Sequence, residues 1–238
     1  MNLLALESSA AACSAAFCRD DALLAQSSQN SGLTHSRTLM PMVRDLLKNA
    51  GHTLQEVDVI AVAAGPGSFT GIRIGVAAAK GLAWGVEKPC AACSTLASMA
   101  WPLAHMGVEI CAVMDARRQQ VYNARFQGTG EGLLRLCPDR AISLADLGEE
   151  LKNSQKPQIL VGDGAVLCYT ELKELGLDLR LAPPHLRFQS AWGVAREALE
   201  LARAGRLTDA AGLTPDYHRL SQAERERLEL QKQRGITP

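Results

Sequence analysis

The sequence has no excess of either charge: 25 lysines and arginines stand against 25 aspartates and glutamates, for a formal net charge of zero. A strong basic surplus, the simplest sequence argument for nucleic-acid binding, is missing, which leaves only local patches for such a role. No apolar run is long enough to span a membrane. The opening MNLLALESSAA has no basic region ahead of its apolar stretch, so it makes a poor signal peptide. Seven cysteines are an odd number in a chain of 238 residues, a length that allows a substantial core without staples. Reduced thiols and a cytoplasmic location are therefore expected.

Familiar catalytic signatures are missing too. The stretch AAGPGSFTGIRIG, Ala63 to Gly75, has the look of a phosphate loop. A Walker loop needs Gly-Lys-Ser/Thr, but Gly71 is followed by Ile72 and Arg73. A dinucleotide fingerprint needs its third glycine three residues after the second, and Gly71 comes one residue late after Gly67, with Pro66 inside the loop. No G-x-S-x-G elbow occurs, since Ser68 sits in G-S-F. No H-E-x-x-H occurs. The five histidines, His35, His52, His105, His185 and His218, include no pair three to five apart, so no helical pair of metal ligands exists. The C-x-x-C at Cys90–Cys93 has no second half, and small buried cysteines are the simpler reading than a redox or zinc pair.

What the sequence does hold is an α/β pattern. Leu3–Leu6, Ala15–Phe17 and Leu23–Gln26 read as strands. Thr34–Ala50 reads as a helix with Leu39, Val43, Leu46, Leu47 and Ala50 on one stripe, Thr34 or Ser36 at its cap and Gly51 at its stop. VDVIAVAAG is a buried strand, Ser68–Trp84 a second helix, Pro89–Cys93 a strand and Thr95–His105 a third helix capped by Ser94. The pattern restarts near Gly107 with strand, turn and strand. A helix near Leu144–Leu151, the strand QILVGDG and a helix over Ala191–Ala204 follow. This divides the chain into a lobe at 1–106, a lobe with a closing helix at 107–220, and a charged tail at 221–238.

An internal repeat underlies the division. NLLALESSAAACSAAF from Asn2 and ICAVMDARRQQVYNARF from Ile110 both run strand, acid, short turn, strand, with Glu7 and Asp115 as the acids. That plan resembles the actin, hexokinase and sugar-kinase superfamily. The fold expected is a two-lobe actin-like, hexokinase-like (ASKHA) α/β fold with ribonuclease-H-like lobes, whose facing hairpins hold phosphate with backbone amides. Candidate phosphate or nucleotide contacts, vestigial in a non-catalytic chain, are then Glu7, Ser8, Gly65, Gly67 and Asp115. Because neither Ser8 nor Ser9 is glycine, close approach of a phosphate is harder than in a competent kinase.

GPGSFTGIRIG, the DAR at Asp115 and LTPDYHRLSQAER from Leu213 together resemble the TsaB (YeaZ) family over nearly the whole chain. The resemblance implies a non-catalytic subunit of the bacterial set that transfers a threonylcarbamoyl group from an adenylate onto tRNA adenosine. It implies pairing with the catalytic paralogue TsaD and work beside the ATPase TsaE, with tRNA met only through the complex; alone, the chain is a monomer or a homodimer. ATP or ADP belongs to the complex; the isolated chain needs no cofactor, metal or catalytic residue. TsaD holds a metal through two histidines four apart on a helix, and here His35 stands alone near the matching place. Glutamate rather than aspartate ends the first strand, which is closer to the paralogue's opening. An autonomous ATP-binding kinase or ATPase of the superfamily is the alternative, and an old peptidase label is a third reading.

The helix after the glycine-rich loop is the candidate partner surface. Between Ser68 and Gly85 it has one lysine, one arginine and no acid. Ile72, Val76, Ala79 and Ala83 form one stripe, and Gly71, Gly75, Ala78 and Leu82 a neighbouring one. The small residues would let a partner helix approach closely. The expected interface comprises Ser68, Phe69, Gly71, Ile72, Gly75, Ala78 and Leu82, with Leu39, Met40, Met42 and Val43 of the first helix.

Overall fold

The computed structural model describes residues 1–154 and 156–218; the tail at 221–238 and the end of the Leu213 motif lie outside them. The first sheet begins with an antiparallel meander, β1 (Asn2–Glu7), β2 (Cys13–Arg19) and β3 (Ala22–Gln29). The chain crosses through α1 (His35–Asn49) to β4 (Val59–Gly65), parallel to β1, and through α2 (Phe69–Val86) to β5 (Cys90–Ser94). The strand order is β3-β2-β1-β4-β5.

The second sheet repeats the plan. β6 (Glu109–Asp115) pairs with β7 (Gln120–Gly128), which carries β8 (Leu133–Arg135) and β9 (Arg140–Ser143). Beyond α4 (Leu144–Lys152) lie β10 (Gln158–Val161), α5 (Ala165–Leu172) and β11 (Leu179–Leu181), giving β11-β10-β6-β7-β8. Counted from its own opening strand, each sheet has the same order, outer meander on one side and parallel strands on the other. This is the two-lobe actin-like fold, and the acid-ended repeat is its sequence trace.

Packing follows from the strand pattern. β1 and β4 are apolar on both faces because both faces are covered. Leu4, Leu6, Ile60 and Val62 meet α1 and α2; Leu3, Ala5, Ala61 and Ala63 meet α6 (Ala191–Arg203). Alanine on both sides of that second contact lets helix and sheet approach closely.

The order of packing differs from the order of the chain. α6 lies on the first sheet, although the chain reaches it only after the second lobe. α3 (Thr95–Ala100) sends Leu96, Met99 and Ala100 into the core of the second sheet. The helix expected over Thr95–His105 is also shorter than its pattern: after Ala100 it tightens into a 3-10 segment, Trp101–Met106, because Pro102 has no amide hydrogen to continue the ladder. Among the described residues no helix is long and apolar enough to cross a membrane.

Candidate functional site

The two repeated hairpins face each other across a cleft of about 560 Å3. Its walls come from the β1–β2 turn (Ser9, Ala10), the loop into α2 (Pro66–Thr70), the β6–β7 turn (Asp115–Arg117), Asp163 after β10, and Asp216–His218 near the end of the described chain.

Glu7 lies beneath this cleft and is fully buried. Its Oε1 accepts hydrogen bonds from the Ser9 backbone N–H and hydroxyl, both at 2.6 Å, while Oε2 has no partner. Burial pushes the carboxyl up to about 7, against the opposing pull of the Ser9 hydrogen bonds. Asp115 instead opens to solvent, and its Oδ1 accepts from the Arg117 N–H at 2.6 Å. Glu7 and Asp115 end matching strands but differ in environment. Among the described residues no three histidine, cysteine, aspartate or glutamate side chains form a group that could hold a metal.

The amides a kinase would present to phosphate are occupied by the chain itself. Ser9 N–H donates to Glu7, Ser68 N–H to the Ser9 carbonyl at 2.6 Å, and Gly71 N–H to Ser68 Oγ at 3.3 Å. In the second lobe Ala116 N–H donates to Gln120 O at 3.0 Å and Gly164 N–H to Val113 O at 3.2 Å. A helix terminus attracts an anion through unpaired N–H groups, and these particular N–H groups are engaged within the chain.

The glycines of the quoted loop have another use. A Cβ on Gly71 would run into the Ser8 carbonyl, and one on Gly75 would stand 2.5 Å from Ser8 Oγ. Ser8 Oγ donates to the Gly71 carbonyl at 2.9 Å. A Cβ on Gly67 would meet Ser9 O, and one on Gly65, where φ is 146°, would meet Asp216 O. Gly71 and Gly75 of α2 and Gly67 of the loop therefore seat the chain's own first hairpin, and Gly65 seats its C-terminal segment.

Burial sorts the expected interface residues accordingly. Leu39, Met42, Val43, Gly71, Ile72 and Gly75 lie inside their own lobe and are no surface at all. Met40 is exposed, as is Ser68, the N-cap of α2; Phe69, Ala78 and Leu82 are half-buried. A helix laid on a sheet and clasped by the first hairpin buries Gly71 and Gly75 beside its apolar stripe without any partner, while Ala78 and Leu82 stay half-buried. Trp84, 69 % exposed on the same helix, was not among the expected residues.

Cys90 and Cys93 are buried, and burial raises both thiols, Cys93 well above its ordinary range. They pack as small apolar residues. His35 Nε2 donates to the Ala10 carbonyl at 2.6 Å, so it supports the first hairpin turn. Asp163, missed in the sequence, had a signal there: GDG follows β10 as GPG follows β4, at the same station of the repeat. Tyr217, also missed, stacks on Phe69 with centroids 4.6 Å apart, and its hydroxyl accepts from Arg73 Nε at 2.9 Å.

The comparisons with known proteins agree with this architecture. The family model for TsaD, tRNA N6-adenosine threonylcarbamoyltransferase, matches residues 28–172. The chain is 35 % identical over 239 residues to the tRNA threonylcarbamoyladenosine biosynthesis protein TsaB of Bacillus subtilis, covering 98 % of this chain and 100 % of that one. It is 34 % identical to the Escherichia coli protein of the same name, over 76 % of this chain and 79 % of that one. A crystal structure of a Pseudomonas aeruginosa protein described as similar to peptidase YeaZ superposes with a TM-score of 0.79 at 29 % identity, covering 92 % of this chain and 99 % of the other. With matching length, matching lobes and this likeness from end to end, the chain belongs to the TsaB family of tRNA threonylcarbamoyladenosine biosynthesis proteins.

Proposed function

We propose that the chain serves threonylcarbamoyl-adenosine synthesis as a non-catalytic subunit, by pairing with the TsaD-type transferase through the outer face of α2 and the adjoining exposed part of α1. The observation that carries this reading is the uncharged outer face of α2. Arg73 lies over the Phe69 ring at 3.8 Å and bonds Tyr217, and Lys80 Nζ donates to the carbonyls of Ala211 and Leu213 at 3.2 and 3.1 Å. With both cations turned onto the chain's own C-terminal segment, Ala77, Ala78, Gly81, Leu82, Trp84 and Gly85 remain on an outer face with no charge. A helix face left so apolar on a folded lobe suits a partner, and an exposed tryptophan suits its anchor.

Occupied amides support a role without nucleotide chemistry in the isolated chain and weaken the kinase or ATPase alternative. Any ATP or ADP use then belongs to the assembled set, TsaE included. The test is titration calorimetry of the chain with a TsaD-type transferase, combined with sedimentation of the chain alone. Trp84→Ala should weaken pairing by at least tenfold with the melting temperature unchanged, and should also weaken any self-association through the same face. Full affinity in Trp84→Ala, or ATP turnover by the pure chain, would defeat the reading.

A further inference from the structure

The cleft combines acidic, aromatic and basic side chains. Asp115, Asp163 and Asp216 line it with carboxylates, and the Ser9, Ser68 and Ala116 amides are engaged within the chain. Asp216 is paired with His218 at 3.0 Å, and burial raises the Asp163 carboxyl. One wall is flat and aromatic: Tyr217 is 41 % exposed, stacked on Phe69 at an interplanar angle of 25°, with Arg73 behind Phe69. A ring held from behind and open in front is a stacking platform.

The β6–β7 turn, whose Arg117 also lines the cleft, carries the opposite charge. In the β6–β7 turn Arg117, Arg118 and Gln119 have φ values of 62°, 55° and 58°. Three consecutive side-chain-bearing residues in the left-handed region form an unfavourable turn that glycine or asparagine would make more easily. The turn is held by Asp115 on the Arg117 N–H, by Gln120 N–H on Arg117 O at 3.2 Å and by Leu144 N–H on Gln119 O at 3.0 Å. Neither guanidinium has a hydrogen bond or ion pair with another described residue, whereas Arg125, Arg140, Arg196 and Arg203 are all paired with acids. Strain kept at one spot that projects two free arginines points to a use for them.

From these features we propose that the cleft takes one unstacked nucleotide of a single-stranded RNA, its base on Tyr217, its ribose hydroxyl toward the Asp115, Asp163 and Asp216 carboxylates, and its flanking phosphates on Arg117 and Arg118. RNA is chosen over other polyanions partly because the preceding reading places the chain in a tRNA-modifying set, and on that point the inference rests on it. A 2′-hydroxyl gives the acids a donor that DNA lacks.

The experiment is fluorescence anisotropy of the full chain with a labelled single-stranded RNA, the same RNA as a duplex, and the matching DNA, across a salt series. The single-stranded RNA should bind tightest. Tyr217→Ala should weaken it by roughly fivefold to a hundredfold, the scale of one lost base stack, and Tyr217→Phe should keep most of the affinity. Combined Arg117→Gly and Arg118→Gly should lower the slope of log affinity against log salt by about 1.5 without lowering the melting temperature, since glycine accepts the left-handed turn. Arg117→Lys with Arg118→Lys should keep the slope. Equal binding of duplex and single strand, or glycine variants with an unchanged slope, would overturn the inference. Calorimetry of the same variants with the transferase separates the two ideas: intact pairing with no RNA effect sinks this one alone.

Discussion

Glu7 gives a quantitative prediction. Its carboxyl sits at about 7 in the fold against an ordinary value of 4.5, with burial as the main cause. The folded state therefore holds this proton more tightly than the unfolded chain. The associated stability is fully present below pH 4.5 and is lost as the pH rises to about 7 and beyond. A difference of about 2.5 pH units corresponds to about 3 kcal/mol. Glu7→Gln keeps an oxygen to accept from Ser9 N–H and Oγ but removes the ionisation. At pH 5 the two proteins should unfold at similar denaturant concentrations. At pH 8.5 the variant should be more stable by about 3 kcal/mol, which for a chain of this size is roughly 6–12 °C in melting temperature. Urea titrations of both proteins at four pH values between 5 and 8.5 measure this directly, because other titrating groups cancel in the difference. A difference that stays constant over that range would refute the reasoning, since it would mean that the buried carboxyl stays ionised in the fold or finds a partner for Oε2.

The close contact of α2 with the first hairpin makes a second test. Gly75→Ala should destabilise the chain by about 1–3 kcal/mol through overpacking against Ser8 Oγ. Ser8→Gly should recover part of that loss, so a double-mutant cycle by thermal melts that came out additive would contradict the contact. Thiol labelling makes a third: Cys137, only half-buried, should react well before Cys93 in the native protein at pH 8. Equal rates would show that the CAAC segment opens to solvent.

Much of the architecture was legible because two physical signals repeat. Buried strands ending in an acid marked β1 and β6, and the 3.6-residue stripe of Leu39, Val43, Leu46 and Leu47 marked α1. The short edge strands β8 and β11 had no such signal, being three residues each and only partly buried. The helix α5, whose AVLCYTEL has little polar contrast between its faces, was likewise missed. Small residues on α2 were legible as a close approach, but spacing carries no information about what approaches; here it is Ser8. The cleft's aromatic wall was the least accessible, because Phe69 and Tyr217 stand 148 positions apart in number and meet only once the C-terminal segment lies along α2.

The crossed packing of α3 and α6 also bears on how the protein is made. Ala191 N–H donates to Ser14 Oγ, a bond spanning 177 positions, and the face of the first sheet carrying Leu3, Ala5, Ala61 and Ala91 is covered by α6. A ribosome delivers that sheet well before it delivers its cover. During synthesis the early half waits with one apolar face bare, a state in which exposed apolar surface invites aggregation. Final closure is then a late event of high contact order, slow relative to the local hairpins. Dividing the gene at the midpoint would not yield two working halves: the first would lack α6 for its sheet, and the second would lack the α3 side chains that fill its core.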